Sequence, residues 1–511
     1  MHIWSAITTT HTHKPMDYPT FFHIFSSLLT IIYALITISG RHNSRLPPGP
    51  YPFPVIGNLL KLSDKPHQSL ATLSKRYGPL MSLKLGSRTT IVVSSPDIAK
   101  EFFHTHDISF SGRTVPDTAR IVDHDKYSIA WLPTGEQWRK LRRIGREYLF
   151  SVQRLDDSQL LRGEKVQELL NHVQRCCTNE KAVNIGASAF TTTLNVLSKF
   201  IFSVDFAQYD TISSQEFKEA VMALVELAGK PNLADFFPIL KPLDPQGLVR
   251  KGNVYGKKLL TIFDRIINQR LQLRSSSMST NIDVLDLLLN VVQKDESIFS
   301  RDDMRHFFYA LFIAGTDTTS GTLEWAMAEL IHNPEKMETA RSEIIKLMQN
   351  NKGNIQEMHI SQLPYLQAII KETLRLHPPV PFLIPHQALH DVEVQGFIVP
   401  KNAQIICNIW AMGRDHNIWP NPKKFMPERF LKVKIDYKGQ DYEFIPFGAG
   451  RRICPGLNIA HRMLHIMLGS LIHKFEWKLE GNIRAQDMDM EEKFGLTLPR
   501  KVPLMAIPIK V

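Results

Sequence analysis

FGAGRRICPG, Phe447 to Gly456, sets one cysteine among three glycines, a proline and two arginines. Gly448 and Gly450 open a dinucleotide fingerprint, but the third glycine it requires would fall at Ile453. There is no CxxC here, so neither a structural zinc pair nor a thioredoxin-like pair fits. A buried neutral thiol is the commonest fate of a single cysteine. That fate does not call for Arg451, Arg452, Gly450 and Gly456, whereas a cationic loop with free backbone N–H groups stabilises a thiolate at Cys454.

A second chemical signal lies in AGTDTTSGT, Ala314 to Thr322. Glycine, an acid and several hydroxyls interrupt an apolar helical stretch against local propensity, a contradiction that tends to mark function. A phosphate loop is excluded, because Gly315 and Gly321 are wrongly spaced and no Lys-Ser/Thr follows. The structural alternative has the threonines bonding back to carbonyls four residues earlier and kinking the helix. A third signal is KETLR, with Glu372 and Arg375 three residues apart. Such a pair alone is usually a weak surface contact.

These segments need elements to hold them. The helix with the AGTDTT segment is predicted over about Asp303–Asn333, ending at Pro334, and the helix with KETLR over Leu363–His377. Leu80–Leu85 and Thr89–Val93 alternate around Gly86-Ser87 as a hairpin would, and β character returns at Val392–Val399 and near Leu496–Ile507. Helical periodicity dominates the rest from about Pro96. The expected fold is mainly α with a small β region drawn from both ends, one large domain over 58–511.

Ahead of it, Phe21–Ile38 carries no formal charge and as a helix reaches about 27 Å, enough to cross a bilayer core. Arg41, His42 and Arg45 follow, which places the carboxyl side in the cytosol. A cleaved signal peptide is the alternative, but no small-x-small site follows. Residues 21–40 are therefore expected to be a transmembrane anchor and 41–57 a basic, proline-rich linker. Residues 1–20, upstream of and around Met16, read as an extension or an earlier translation start. The 511 residues are 43% hydrophobic and 22% charged, a globular composition, and four cysteines without repeated spacing exclude a disulfide scaffold. The net charge of +11, without a basic tail or nucleic-acid motif, points to a membrane surface or an acidic protein partner rather than nucleic acid.

In order along the chain, these segments resemble the cytochrome P450 family. FGAGRRICPG is similar to its haem-binding loop, Glu372 and Arg375 to its ExxR pair, PERF at Pro427–Phe430 to the segment whose Arg429 joins that pair, and AGTDTT to its oxygen-activation segment. WRKLR, with Trp138 and Arg142, is similar to its haem-contacting helix. The resemblance implies haem b with Cys454 as the metal ligand. It implies Trp138, Arg142, His386 and Arg452 toward the haem propionates, and Phe447 against the porphyrin. Asp317 and Thr318 become an acid–alcohol pair that delivers protons during oxygen activation, with Gly315 permitting local widening of the helix. Glu372, Arg375 and Arg429 become a buried network. Candidate pocket residues are Ile121, Val122, Phe312, Ala314, Val380, Phe382, Leu383 and Leu496, with core packing the ordinary reading of each.

LPPGP and the anchor resemble microsomal plant enzymes, and RYGPLM and LPYLQAIIKETLRLHPP resemble the geraniol hydroxylase and ferruginol synthase group. The implied activity is terpenoid oxidation with O2 at the endoplasmic reticulum membrane, facing the cytosol, with electrons from NADPH through a separate NADPH–cytochrome P450 reductase. Arg139, Lys140, Arg143 and Arg146 are candidates to meet that acidic partner, or are simply a solvated face. Two other classes stand beside it. A haem-thiolate isomerase or dehydratase typically lacks the acid–alcohol pair, and a non-catalytic haem sensor or carrier has no use for an apolar pocket.

Overall fold

The computed structural model describes Pro19, residues 22–28, 30–31, 45–209, 215–276, 283–349 and 353–510. Of the proposed anchor, Phe21–Ile38, residues 22–28 and 30–31 are described and helical; the rest of it, and the extension before it apart from Pro19, lie outside the described residues. Among the described residues, no helix is long and apolar enough to cross a membrane.

The helices that bear on the site are α1 (Pro66–Tyr77), α2 (Glu136–Tyr148), α3 (Gln159–Thr178), α4 (Ile185–Phe202) and α5 (Gln215–Gly229). They continue with α6 (Leu248–Ser275), α7 (Arg301–His332), α8 (Pro364–Leu376) and α9 (Leu457–Lys474). The strands are β1 (Leu80–Leu85), β2 (Arg88–Val93), β3 (Gly112–Arg113), β4 (Val183–Asn184) and β5 (His386–Gln387). They continue with β6 (Val392–Val394), β7 (Phe397–Val399), β8 (Gln404–Cys407), β9 (Phe475–Leu479) and β10 (Met505–Lys510).

The main sheet runs β1-β2-β8-β5-β3, with β2 and β8 parallel and the other pairs antiparallel. It therefore joins residues near 80–113 to residues 386–387 and 404–407, whereas the late stretches with β character at 392–399 and 496–507 lie outside it. β6 and β7 form a separate hairpin, and β4-β10-β9 a small third sheet. The proline-rich linker is not a free spacer. The Ser82 N–H donates to the Pro48 carbonyl at 2.8 Å and the Ser82 hydroxyl to the Pro47 carbonyl at 2.6 Å, which lays the segment along β1. A Cβ on Gly49 would sit 1.9 Å from the Ser82 carbonyl oxygen, so only glycine permits that contact.

α7 begins two residues before its predicted start because Ser300 caps it. The Ser300 hydroxyl and the Asp303 carboxylate exchange bonds with each other's backbone N–H, a complete capping box. The helix ends at His332 against Pro334. It runs through the domain with apolar residues on every side. Leu323, Trp325, Ala326 and Met327 enter one core with α8 and α9, and Phe307, Phe308 and Phe312 enter a second with α4 and α6. A helix apolar all round is one buried on all sides.

Candidate active site

The Phe447–Gly456 loop leads into α9, which packs against α7. Gly448 and Gly450 adopt φ of 74° and 63°, and a Cβ on Gly450 would meet the Phe103 carbonyl oxygen at 2.4 Å. Left-handed backbone in close contact is what only glycine tolerates. The Cys454 N–H donates to the Phe447 carbonyl at 2.9 Å and closes the loop. Arg451 is drawn outward to Asp107, its Nε 2.6 Å from the carboxylate. Cys454 lies deep in the domain yet keeps accessible surface, so it faces a space rather than packed side chains. Burial raises its thiol pKa, while the backbone N–H groups of Gly456 and Leu457 and the Arg142 guanidinium oppose that rise.

Around this loop the structure brings together Arg142 from α2, Arg452 from the loop, His386 from β5 and Arg113 from β3. Arg452 donates to the carbonyls of Ser111, Ile129 and Leu132 and lies 5.0 Å from the centre of the Trp138 ring. Arg113 donates to the carbonyls of Ala130 and Ile384, and Arg142 to that of Ile453. Burial, with Arg142 and Arg451 adding to it, pushes the Arg452 pKa down to about 10. Burial and then Arg452 push that of Arg113 well below its usual value. None of these three guanidiniums has a carboxylate within 4.0 Å among the described residues. Cations held this close together in the interior are costly unless anions join them. The two carboxylates of a haem would supply those anions, and Cys454 would suit its metal.

Two expectations are refined here. The Trp138 Nε1–H is already committed to the Ile129 carbonyl at 3.1 Å, so its ring serves as a wall and cation support. His386 donates Nδ1–H to the Phe110 carbonyl at 2.7 Å, and burial together with Arg113 holds its pKa well below the usual value. A neutral ring in that tautomer offers only an acceptor, so His386 serves an anion only as imidazolium. Arg113 was not singled out in the sequence. Its one local cue is an arginine in the otherwise apolar and small stretch ISFSGRTV.

On α7, Ala314 is exposed and Ala310 and Thr318 are partly accessible, while their neighbours Phe308, Tyr309, Phe312 and Thr316 are buried. Positions 310, 314 and 318 form one i,i+4 row, so this row borders a space inside the domain. The Thr318 hydroxyl donates to the Ala314 carbonyl at 2.7 Å, and Thr316, Ser320 and Thr322 also bond back four residues. The back-bonding alternative is thus realised, and Thr318 nevertheless stands on the accessible row. The helix stays α-helical through Gly315, without the expected widening. Asp317 points elsewhere: its Oδ2 accepts from the Thr497 hydroxyl at 2.6 Å. Burial raises its pKa, and that hydrogen bond moderates the rise.

The candidate pocket residues divide. Phe312 has no accessible surface and packs among Phe202, Phe206, Phe217 and Phe263. Ile121 is 2% exposed and presses into the notch of Gly252. Both belong to the core, because neighbouring side chains leave them no free face. Val122, Val380, Phe382, Leu383 and Leu496 are half-buried, and Leu383 takes a φ of 54° in a turn whose N–H donates to the Val380 carbonyl.

Glu372 and Arg375 are fully buried. Arg375 donates Nε and Nη2 to Glu372 at 2.6 and 2.7 Å, and also bonds the carbonyls of Gly413, Pro422 and Lys424. Arg429 Nε donates to the same carboxylate at 3.0 Å, and so does the Met426 N–H, at 2.7 Å. The weak surface pair of the helix pattern is here a closed, bidentate network.

The profile of the family described as Cytochrome P450 matches residues 47–505. A protein described as Cytochrome P450 76T24 from Catharanthus roseus is 53% identical over 95% of this chain and 98% of its own length. Geraniol 8-hydroxylase from Catharanthus roseus is 47% identical, and ferruginol synthase from Salvia miltiorrhiza 44% identical, each over 96% of this chain and 99% of that protein. With a deep cysteine beneath an uncompensated cation cluster, and similarity over nearly the whole length, the chain belongs to the cytochrome P450 family.

Proposed function

We propose that this P450 monooxygenase hydroxylates, or oxidises further, an apolar plant terpenoid of the monoterpenoid or diterpenoid class, using O2 and electrons from NADPH. The observation that carries the oxygenase chemistry is the Cys454 loop ringed by Arg113, Arg142 and Arg452. The substrate class rests on the similarity to geraniol 8-hydroxylase and ferruginol synthase.

Dioxygen activation and oxygen insertion into a C–H bond are the chemistry that haem b supplies when bound. Cys454 would hold the metal as thiolate, and the Gly456 and Leu457 N–H groups near its sulfur would temper its donor strength. Arg113, Arg142 and Arg452 would hold the two haem carboxylates, with Trp138 and His386 as walls and Phe447 against the porphyrin. Thr318 presents its hydroxyl to the reaction space while its proton rests on the Ala314 carbonyl. Asp317, whose pKa burial raises, is the proton reserve behind it. Ala314, Val122, Val380, Phe382, Leu383 and Leu496 exclude water and select an apolar substrate.

Electrons come from an NADPH–cytochrome P450 reductase that meets α2, where Arg139, Arg143 and Arg146 are exposed. The apolar run Phe21–Ile38 anchors the protein in the endoplasmic reticulum membrane with this face in the cytosol. The test is co-expression with a plant reductase, supply of terpenoid scaffolds under 18O2, and mass spectrometry of the products. One labelled oxygen in a terpenoid product is expected. Labelled product from other apolar scaffolds but from no terpenoid would overturn the substrate class.

A further inference from the structure

Asp317 lies deep in the domain yet keeps accessible surface, as Cys454 does. On α7, Asp317 and Thr318 stand at the two edges of an arc of about 100°, and Ala314 and Gly321 fall between them. All four residues of this arc have accessible surface. The two that separate the acid from the alcohol carry almost no side chain. A Cβ on Gly321 would meet no heavy atom within 4 Å, so open space lies beside both groups.

The donors and acceptors along the arc are ordered by their other bonds. The Thr318 hydroxyl has its proton on the Ala314 carbonyl, 2.7 Å away, so it turns only lone pairs to the space. Asp317 Oδ2 accepts from the Thr497 hydroxyl at 2.6 Å. Its Oδ1 has no partner among the described residues and is not enclosed. In a protonated carboxyl group the carbonyl-type oxygen is the better acceptor. The Thr497 bond therefore gives that part to Oδ2 and leaves the proton on Oδ1. The acid then faces the space with a donor and the alcohol with an acceptor. A water molecule beside Gly321 would have both as partners.

Thr497 is held from outside α7. It lies near the tip of a hairpin, 492–500, whose ends pair at Glu492 and Arg500. Within it the Lys493 N–H donates to the Pro499 carbonyl at 2.9 Å. The tip is packed against the end of α5, where a Cβ on Gly229 would lie 2.3 Å from the Leu496 nitrogen. A hydroxyl fixed by supports of its own can aim the group that it bonds.

We propose that Thr497 is a positioning residue for proton delivery: it pins Asp317 Oδ2 and so aims the acid proton on Oδ1 across the Gly321 gap at Thr318. Neither Thr497 nor Gly321 belongs to the acid–alcohol pair, and the proposal rests on the reading above that this pair carries protons. In the step, the Oδ1–H bond breaks and its proton passes through water to Thr318 Oγ1. The proton that Thr318 held toward Ala314 turns into the reaction space and is given up there. Thr497 keeps its bond to Oδ2 and stabilises the carboxylate, which regains a proton from solvent.

The test uses the holoenzyme and two readings. The first is infrared spectroscopy of the resting protein at acid pH, with the Asp317 carboxyl band identified by its loss in Asp317→Asn. Thr497→Val should move that band to higher frequency, as for a carbonyl that loses its hydrogen-bond donor, and Thr497→Ser should leave it in place. The second is the product-to-NADPH ratio, read with whichever scaffold gives labelled product, so that failure of the terpenoid class leaves this reading intact. Thr497→Val should lower the ratio about tenfold, with peroxide taking up the electrons, and Thr497→Ser should restore it to within about twofold. Gly321→Val, which leaves Thr497 untouched, should fill the gap and lower the ratio as well. A hydroxyl that only ties the hairpin to α7 would cost folded yield and leave the ratio alone. An unmoved band in Thr497→Val, or a wild-type ratio in that variant or in Gly321→Val, would overturn the proposal. Thr318→Ala separates this role from that of the pair. If it too keeps the wild-type ratio, the route itself fails; if it loses coupling while Thr497→Val does not, the role of Thr497 alone fails.

Discussion

The Thr497 hydroxyl donates to the Asp317 carboxylate at 2.6 Å, tying the centre of α7 to a loop 180 residues further along the chain. Leu498 extends the tie: its carbonyl accepts from Trp325 Nε1 at 2.9 Å, and its N–H donates to the Pro379 carbonyl at 2.9 Å. The carboxyl group that the proposed proton supply needs is thus held by the same segment that carries Leu496, one of the residues proposed for the pocket.

Asp317 gives a signed pH dependence. Burial raises its pKa in the folded protein, so the native state holds the proton more tightly than the unfolded chain does. The resulting stabilisation is fully present below the ordinary aspartate value and is lost as pH rises through the folded value. Asp317→Asn keeps a neutral polar group in place. Its melting temperature should match wild type near pH 4 and exceed it increasingly toward pH 8. Thr497→Val removes the bond that favours the carboxylate, so the loss of stability should begin at the same pH but extend to higher pH and grow larger. Thermal unfolding across that range checks both.

Thr318→Ala removes a hydroxyl whose partner is a carbonyl of its own helix, so stability should change by about 1 kcal/mol or less. If the hydroxyl also hands on protons, coupled product formation should fall on the order of 100-fold. NADPH would still be consumed and peroxide would rise. The product-to-NADPH ratio decides, and an unchanged ratio assigns Thr318 to helix packing alone.

Arg113→Leu tests the cation cluster. The side chain bonds only carbonyls among the described residues, so its charge is the part that an anion would use. Haem retention should weaken by about tenfold to a hundredfold, read as haem per folded protein during apomyoglobin transfer. If Arg113 only joined strands, folded yield would drop while the surviving protein kept full haem.

Glu372→Ala leaves Arg375 and Arg429 without their shared carboxylate in a buried setting, and should destabilise by about 3–5 kcal/mol. Gly413→Ala tests the same network sterically, since its Cβ would sit 2.4 Å from the Arg375 carbonyl oxygen. A cost of about 1–3 kcal/mol is expected there, read by denaturant unfolding of each variant. Wild-type stability in either variant would show that the network is not structural.

What the sequence alone determined is the chemistry of short range. The glycines of FGAGRRICPG, the stop of α7, the hairpin around Gly86 and the Glu372–Arg375 spacing depend on backbone freedom and helix geometry over a few residues. They are legible wherever those residues stand. Helix boundaries came within a few residues for the same reason: Ser300 and Pro334 act locally.

Only the tertiary structure decided which charges are paired and which side chains are free. Arg113 and Arg452 stand more than 300 residues apart in sequence and meet because β3 pairs with β5 beside the loop. Phe312 and Ala314 are two residues apart on one apolar helix, yet one is enclosed by phenylalanines and the other faces a space. Helical periodicity distinguishes faces but not what covers each face. How far burial raises the pKa of Asp317, or lowers those of His124 and His306, depends on segments packed against them from far along the chain. Desolvation is set by that packing and leaves no mark in local spacing.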